Sequence, residues 1–313
     1  MKLQKWGPWL VFFAAMLWAT DAPFRVHLTK ELSSSFIVLA EHFIDVLFIL
    51  PILWWKRAEL KAELKEFGKK EWLAVLVIAI GSSALGTVAF TKAFFYVNPS
   101  VAIVLQKLQP LIAIGLAASL LKEELRARFW VWAFFAIVGA YAVSFPNLTP
   151  KLFERETFNP NFMGVALALT AAALWGAGTV LAKLVLSKAS FQTMTALRFL
   201  LAFVFLLGMN VYEKSFPVFG AVSAKTWLYI VVVAVTAGVV SLFIYYRGLA
   251  HTKASIATLA ELSFPLAGAL INYFALDIKL QIPQLLGMGL LLLAIFNLTK
   301  VNRQAAEPGY DLK

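Results

Sequence analysis

The chain has 313 residues, of which 61% are hydrophobic and 14% charged, with no cysteine and a formal net charge of +11. Soluble domains are about 45–50% apolar and about 25% charged, so this composition excludes an ordinary soluble enzyme. The lack of cysteine also excludes disulfides, thiolate metal sites and cysteine nucleophiles. The composition therefore indicates a membrane protein.

Ten segments of the chain are apolar enough and long enough to cross a bilayer as helices, which takes about 20 mostly apolar residues. Barrel strands would be about ten residues long with alternating polarity, so the pattern predicts an all-α integral membrane protein. The first segment has no small-residue cleavage site after it and is interpreted as a retained span. The predicted spans are Trp9–Val26, Ser35–Trp54, Trp72–Tyr96, Pro99–Leu121, Phe129–Phe145, Phe162–Leu186, Phe191–Tyr212, Trp227–Ala250, Ala254–Leu276 and Pro283–Thr299.

The lysine and arginine residues orient these spans. With a cytoplasmic N-terminus, sixteen of the 28 fall in cytoplasmic segments, six in external segments and six within spans. This asymmetry follows the positive-inside rule, so both termini are predicted to be cytoplasmic. The segment Lys56–Glu71 is predicted to be a short solvated helix on the cytoplasmic side, because its charges recur at helical spacing.

The two halves of the chain resemble each other at a nearly constant offset of 155 to 157 residues. Five spans form an odd number, so the second copy must cross the membrane in the opposite direction. Inverted repeats of this kind are typical of secondary transporters. The predicted units are residues 9–145 and 161–300, joined by an external linker at 146–160 and followed by a cytoplasmic tail at 301–313. The matched positions include Trp18 with Trp175, His42 with Arg198, Lys92 with Arg247, Gln106 with Glu261 and Pro110 with Pro265.

Several of these residues resemble a known family. Leu174-Trp175-Gly176 followed by Lys183, the run Leu197-Arg198-Phe199, the span-central prolines and the loop acid in Lys122–Leu125 look like the EamA domain. That domain occurs twice in proteins of the drug/metabolite transporter superfamily. The resemblance implies ten helices around a central cavity and movement of small organic metabolites or drugs, with export favoured, across a bacterial inner membrane.

Three ionisable residues in the second predicted span are candidates for proton coupling. Asp45 lies near the bilayer midplane, Glu41 is one helical turn away on the same face, and His42 is about 100° around the helix. Ionisable groups at this depth are costly and indicate function by default. Permanent ion pairs with basic side chains are the open alternative. The basic residues concerned are Arg25, Lys107 and Arg198.

Polar residues next to the span-central prolines are candidates for contact with a solute. Proline removes the backbone hydrogen bond to the residue four positions earlier, so Pro110 is expected to free the carbonyl of Gln106, and Pro265 that of Glu261. An ammonium at Lys107 and a carboxylate at Glu261 could hold the two ends of a zwitterion such as an amino acid. The other candidates for solute contact are Gln106, Gln109, Arg198, Trp18 and Trp175.

The remaining intramembrane charges are interpreted as peripheral. Arg25, Lys92, Lys183 and Arg247 lie near helix ends, where long side chains reach the interface. A local pair between Asp21 and Arg25, four residues apart, is also expected. For the two tryptophans, a packing role stays an equal alternative to stacking on a ring-bearing solute.

Missing motifs narrow the function further. The chain has no Gly-x-x-x-x-Gly-Lys-Ser/Thr run, so nothing predicts ATP hydrolysis. Its three histidines lie in separate segments, so no metal site is predicted. The basic excess is mostly explained by membrane topology, so no nucleic-acid partner is predicted, and no cofactor is predicted either. The small-residue run Gly115–Ser119 is a candidate surface for helix packing or a homodimer. The sequence thus predicts a secondary carrier for a small organic solute and no enzyme, with a gated channel or facilitator as the alternative.

Overall fold

The computed structural model describes residues 2–97, 102, 105–106, 108–125, 127–144, 162–276 and 280–304. Every long element in those ranges is a helix. The helices are α1 (Lys2–Trp18), α2 (Ala22–Leu28), α3 (Ser34–Trp55), α4 (Arg57–Lys65), α5 (Lys69–Ala93), α6 (Gln109–Leu120), α7 (Ala127–Ser144), α8 (Phe162–Val185), α9 (Phe191–Glu213), α10 (Ala224–Ala250), α11 (Ala254–Ala260), α12 (Ser263–Leu276) and α13 (Ile282–Gln304).

Within the described ranges, seven helical segments are long and apolar enough to cross a membrane by length and composition. Two further apolar helices, Gln109–Leu120 and Ala127–Val143, are shorter. The predicted linker at 146–160 lies outside the described residues. Helix α13 extends to Gln304, into the range 301–313 that the sequence predicts as a tail.

Three predicted spans are interrupted. The first stops at Trp18 and resumes at Ala22, because Pro23 lacks a backbone donor and Thr20 turns its hydroxyl onto the carbonyl of Leu17 at 2.7 Å. The ninth is broken at Glu261–Leu262, and in the fourth, helix α6 begins only at Gln109, directly before Pro110.

Two helices contain a π-helical segment at positions that the sequence repeat makes equivalent. In α5 the segment is Val77–Gly86, and in α10 it is Ala234–Val240. Adding the repeat offset of 155 to the first segment gives the range 232–241, which contains the second segment. Such bulges are rare and occur mostly at functional sites.

Helices that the sequence repeat makes equivalent pack against each other and run in opposite directions. Asn210, near the end of α9, donates a hydrogen bond of 3.1 Å to the carbonyl of Ser35 at the start of α3. Likewise, Gln284 at the start of α13 donates to the carbonyl of Val143 at the end of α7, at 3.2 Å. Helices α1 and α8 are also equivalent in the repeat, and each packs on a helix of the other half. Helix α1 packs on α10, and α8 packs on α5.

Glycines allow the closest of these helix contacts. A Cβ on Gly139 would lie 2.9 Å from the carbonyl oxygen of Gly287, and one on Gly248 would lie 2.7 Å from that of Gly7. By contrast, a Cβ on Gly115 would meet open space. Gly115 therefore makes no close helix contact within the chain, and a homodimer contact at the run Gly115–Ser119 stays a prediction.

The solvated segment after the second span is present as predicted. Helix α4 buries none of its residues, and the amide of Gly68 then donates a 2.7 Å hydrogen bond to Glu71 as α5 begins. Glu63, in α4, accepts hydrogen bonds of 3.1 Å from both the amide and the hydroxyl of Ser190 at the start of α9. This segment therefore ties the first half of the chain to the second.

Candidate functional site

A central cavity of about 160 Å³ lies between the two halves of the chain. It is lined from α1, α2, α3, α5, α8, α9 and α10 and from both sides of the helix breaks near Gln109 and Glu261. Nine of the predicted site residues line this cavity together: Trp18, Glu41, His42, Asp45, Gln106, Gln109, Trp175, Arg198 and Glu261. Lys107 lies outside the described residues.

At one end of the cavity, a buried guanidinium is shared by two carboxylates. Arg25 is 3% exposed and contacts Asp21 at 2.9 Å and Glu41 at 3.1 Å. Its third contact is the hydroxyl of Thr91 at 2.9 Å. The expected local pair with Asp21 is present, but the interpretation of Arg25 as a side chain reaching the interface is wrong. The break in the first span turns Arg25 inward, where it meets Glu41.

Asp45 lies one turn further along α3 and packs against a glycine of the opposite half. A Cβ on Gly238 would overlap the carboxylate oxygens of Asp45, so the Asp45 side chain would have to shift if any other residue stood at position 238. Asp45 is 2% exposed, and its Oδ1 has no hydrogen-bond partner among the described residues. The Oε1 of Glu41 is also buried without a hydrogen-bond partner among the described residues. Both residues line the cavity, so two acceptor atoms are left over at this end.

The repeat-equivalent residues His42 and Arg198 meet at one hydroxyl. His42 Nε2 is 2.8 Å from Ser83 Oγ, and Arg198 donates from Nε to the same oxygen at 2.9 Å. His42 Nδ1 lies 2.9 Å from the carbonyl of Val38, which can only accept, so Nδ1 carries a hydrogen. A neutral imidazole then accepts from Ser83, and every group in the chain of bonds has a partner.

Arg198 completes this network with a second hydroxyl. Its Nη1 donates to the Tyr246 hydroxyl at 2.6 Å, and the guanidinium carbon lies 5.8 Å from the centre of the same ring. The described hydrogen bonds of Arg198 therefore go to hydroxyls, whereas the sequence left open a permanent ion pair with an acidic residue of the second span.

At the other end of the cavity, Glu261 accepts hydrogen bonds from three helices. Gln109 Nε2 donates to it at 2.6 Å, the Tyr245 hydroxyl at 2.9 Å and the Thr179 hydroxyl at 3.4 Å. These donors hold the carboxylate in place at the break in the ninth span. Among the described residues, no cluster of histidine and carboxylate groups could hold a metal ion.

Both prolines follow helix breaks, and at Pro265 the outcome differs from the expectation. The carbonyl of Glu261, which Pro265 was expected to free, accepts the amide of Phe264 at 3.1 Å in a tighter turn. Pro110 lines a smaller neighbouring cavity of about 30 Å³, as does Gln106, whose Oε1 is buried without a described partner. Pro265 is outside the lining of both cavities.

Two aromatic pairs line the central cavity, and each forms one wall of it. The rings of Trp18 and Tyr245 have centroids 5.0 Å apart, and those of Trp175 and Phe90 are 5.1 Å apart. Trp18 is equivalent to Trp175 in the sequence repeat, and Phe90 to Tyr245 at an offset of 155. The walls are therefore the same pair built twice.

The other intramembrane charges lie away from the cavity. Lys183 donates to the carbonyls of Leu249 and Ala250, at 2.9 and 2.8 Å, at the end of α10. Lys92 is exposed, and so is Arg247, whose guanidinium lies 6.0 Å from the ring centre of Phe191. The peripheral interpretation fits these three residues.

Sequence reasoning missed five residues that organise the site. Ser83 and Tyr246 anchor Arg198, Gly238 accommodates Asp45, and Phe90 and Tyr245 pair with the tryptophans. The repeat offset would have linked Phe90 with Tyr245 and Ser83 with Gly238. The hydroxyl bonds themselves join segments far apart in the chain, and local sequence carries no signal for them.

Comparisons with known proteins agree with the duplicated architecture. The sequence profile of the EamA-like transporter family matches residues 5–145 and again 162–299. The chain is 32% identical over 302 residues to a protein named riboflavin transporter ImpX from Fusobacterium nucleatum, covering 95% of this chain and 98% of that protein. A solved crystal structure at 16% identity has a TM-score of 0.72, covering 95% and 98% of the two chains. That last similarity concerns the fold alone.

Proposed function

Because the chain belongs to the EamA-like transporter family, we propose that it is a secondary active transporter of a planar, uncharged heteroaromatic solute of the riboflavin type. The solute binds in the central cavity and crosses by alternating access. The observation that carries this proposal is the cavity itself, where two equivalent aromatic walls stand beside buried hydrogen-bonding groups. The protein named as a riboflavin transporter supports the choice of solute.

The proposed membrane arrangement has ten spanning helices in two inverted repeats, residues 9–145 and 161–300, with both termini cytoplasmic. The antiparallel contact of α3 with α9, and of α7 with α13, supports the inversion. The excess of basic residues on one side supports the orientation. The location is a bacterial inner membrane.

The chemistry of the cavity favours a heteroaromatic solute over the amino acid suggested by the sequence. Rings of tryptophan, tyrosine and phenylalanine provide flat apolar surfaces for a tricyclic ring system. At one end, Gln109 offers an amide and Glu261 a carboxylate, which suit the alternating donors and acceptors of a pyrimidinedione edge.

The size of the cavity favours a carrier over a gated channel or facilitator. Pockets for drug-sized ligands are roughly 300–1,000 Å³, whereas this cavity is about 160 Å³. A flavin must therefore push the two halves apart as it binds. A change of shape coupled to each binding event is what alternating access requires, while a channel needs a continuous path.

We assign proton coupling to the carboxylates of α3, with Asp45 as the first candidate and Glu41 as the second. His42 is assigned a bridging role, since its neutral ring already has a partner at each nitrogen. Replacing Asp45 with Asn is expected to abolish the pH dependence of transport while leaving the amount of folded protein unchanged. A pH dependence like that of the unmodified protein would remove Asp45 from coupling.

The test is transport of labelled riboflavin in liposomes that contain the purified protein. We expect saturable uptake that unlabelled riboflavin inside the liposomes accelerates, as a carrier requires. Flux that rises linearly with concentration would support the channel alternative, and no flux above protein-free liposomes would refute the proposal. Repeating the assay with a proton gradient of either sign reports the direction, for which export is the expectation.

A further inference from the structure

The end of the cavity formed by α2 and α3 carries acceptors that the protein itself leaves unused. Glu41 and Asp45 are 5% and 2% exposed, lie four residues apart on one face of α3, and both line the cavity. Oε1 of Glu41 and Oδ1 of Asp45 are buried without a hydrogen-bond partner among the described residues. A buried acceptor without a donor costs about 1–3 kcal/mol, so these two atoms call for donors from a bound molecule.

The electrostatics of this end favour neutral donors over anions. Three carboxyl groups, from Asp21, Glu41 and Asp45, line the cavity together with two guanidinium groups, those of Arg25 and Arg198. Arg25 already contacts Asp21 and Glu41, and Arg198 donates to the hydroxyls of Ser83 and Tyr246. An anionic group placed here would face excess negative charge in a site of low dielectric, where repulsion between like charges is strong.

The two polar ends of the cavity lie far enough apart for one elongated molecule. Along α10, Gly238 contacts Asp45 and Tyr245 bonds to Glu261. Seven residues of helix separate these positions, or about 10 Å along the axis. A molecule whose ring edge reaches Glu261 can therefore extend a side chain toward Asp45.

We propose that Glu41 and Asp45 bind the hydroxyl groups of a polyol chain on the solute and thereby select the free polyol over its phosphate ester. This inference rests on the proposed transport of a flavin. Hydroxyl groups donate short, strong hydrogen bonds to carboxylates. A phosphate monoester carries about −1.5 to −2 charges at neutral pH and offers mainly acceptors, so the same carboxylates repel it. The acidic end of the cavity thus attracts the hydroxyl groups of the free polyol and repels its phosphate ester.

The experiment is competition against labelled riboflavin in the liposome assay, with two competitors. Flavin mononucleotide carries a phosphate on the ribityl chain, and lumiflavin carries a methyl group in place of that chain. We expect flavin mononucleotide to compete about 100-fold more weakly than riboflavin, and lumiflavin about tenfold more weakly. Equal competition by all three flavins would overturn this inference while leaving riboflavin transport intact, whereas absence of riboflavin transport would overturn both proposals.

Isosteric variants assign the effect to the two carboxylates. In Asp45→Asn and Glu41→Gln, we expect the discrimination against flavin mononucleotide to shrink at least tenfold and the advantage of riboflavin over lumiflavin to fall. Glu59→Gln, on the exposed helix α4, is the matched control and should compete like the unmodified protein. Unchanged discrimination in both carboxylate variants would refute the assignment.

A binding measurement keeps the test valid if a variant no longer transports. Quenching of flavin fluorescence by the purified protein in detergent reports affinity without a transport cycle. The same order of affinities, riboflavin above lumiflavin above flavin mononucleotide, is expected for the unmodified protein. In both variants the affinities for the three flavins should become more similar. Differences as large as those of the unmodified protein would contradict the proposal, as they would in the liposome assay.

Discussion

The two aromatic walls of the cavity have the same geometry but different polar attachments. Trp18 on Tyr245 and Trp175 on Phe90 have nearly equal centroid distances, 5.0 and 5.1 Å, and interplanar angles of 50° and 57°. Yet Tyr245 has a hydroxyl that donates to Glu261, while Phe90 has none. The aromatic scaffold of the cavity is thus duplicated, while the hydrogen-bonding groups attached to the two walls differ.

The same contrast recurs at other equivalent positions. Glu261 corresponds to Gln106, Arg198 to His42, and Gly238 to Ser83. In each pair, both members lie at the cavity but differ in charge, size or donor groups. A two-fold related frame can reverse its opening by exchanging the roles of its halves. The differing polar groups give one solute one preferred orientation in that frame.

The largest expected effect comes from removing the carboxylate of Glu261, whose counterpart in the first half is the neutral amide of Gln106. In Glu261→Gln, the amide nitrogen would face the donors of Tyr245 and Thr179, and the charge-assisted bond from Gln109 would be lost. Hydrogen bonds to charged groups are worth about 1.5–3 kcal/mol each, so we expect transport of riboflavin to fall about 100-fold. The measurement is the initial rate of counterflow in liposomes.

The reciprocal change tests whether the two sides differ. Gln106→Glu adds a carboxylate at the equivalent position of the first half and should reduce transport less than tenfold. If both variants lose transport equally, the Gln106 and Glu261 positions are functionally equivalent, and the proposed difference between the two halves of the cavity is wrong.

Next in size is the effect of adding a methyl group where α10 meets Asp45. Gly238→Ala would overlap the carboxylate, and overpacking of this kind costs about 1–3 kcal/mol. Gly208→Ala is the matched control, because a Cβ at that helical position meets open space and should stabilise by about 0.5–1 kcal/mol. Thermal unfolding in detergent measures both, and equal melting temperatures would contradict the close contact.

A smaller effect should distinguish the two tryptophans. Trp175 donates from Nε1 to the carbonyl of Ser82 at 2.9 Å, so Trp175→Phe removes a buried hydrogen bond worth about 1 kcal/mol. Trp18→Phe changes ring size without touching that bond. We expect the first variant to unfold at lower denaturant concentration than the second, and the reverse order would show that ring packing dominates.

The smallest effect concerns a link between the halves outside the spans. Hydrogen bonds from Thr226 and then Ser223 lower the pKa of Glu31. A carboxyl whose pKa is lower in the folded state stabilises the protein above its unfolded pKa, and this is lost as the pH falls through the folded pKa. Glu31→Gln should therefore slightly weaken the dependence of the protein's stability on pH in the acidic range. An unchanged acid profile, measured by thermal unfolding, would mean that this exposed link contributes nothing.

Much of the fold is readable from the sequence because it follows from chain-local chemistry. Apolar length gave the helical segments, and the repeat offset placed Trp18 and Trp175 in equivalent surroundings. The break after Trp18 was missed because Pro23 is also tolerated near a helix start, so its presence alone does not locate an interruption.

The site was only partly predictable, because its contacts depend on how helices cross. Arg25 was placed at the interface from its distance to a helix end, but the break before α2 turns it toward Glu41. Ser83 carries no charge and no unusual spacing, yet it joins His42 to Arg198. Such bonds depend on which hydroxyl lies opposite which ring after packing, and residue type alone cannot specify that.

The π-helical segments in α5 and α10 give each half one helix whose later part could rotate and shift along its own axis. A π-turn has one residue more than an α-turn, so converting Ala234–Val240 to regular helix would advance everything after it by one position. One position of helix is a rotation of about 100° and a shift of about 1.5 Å. Such a slip would swing Tyr245 out of the wall it forms, and the matching slip in α5 would do the same to Phe90.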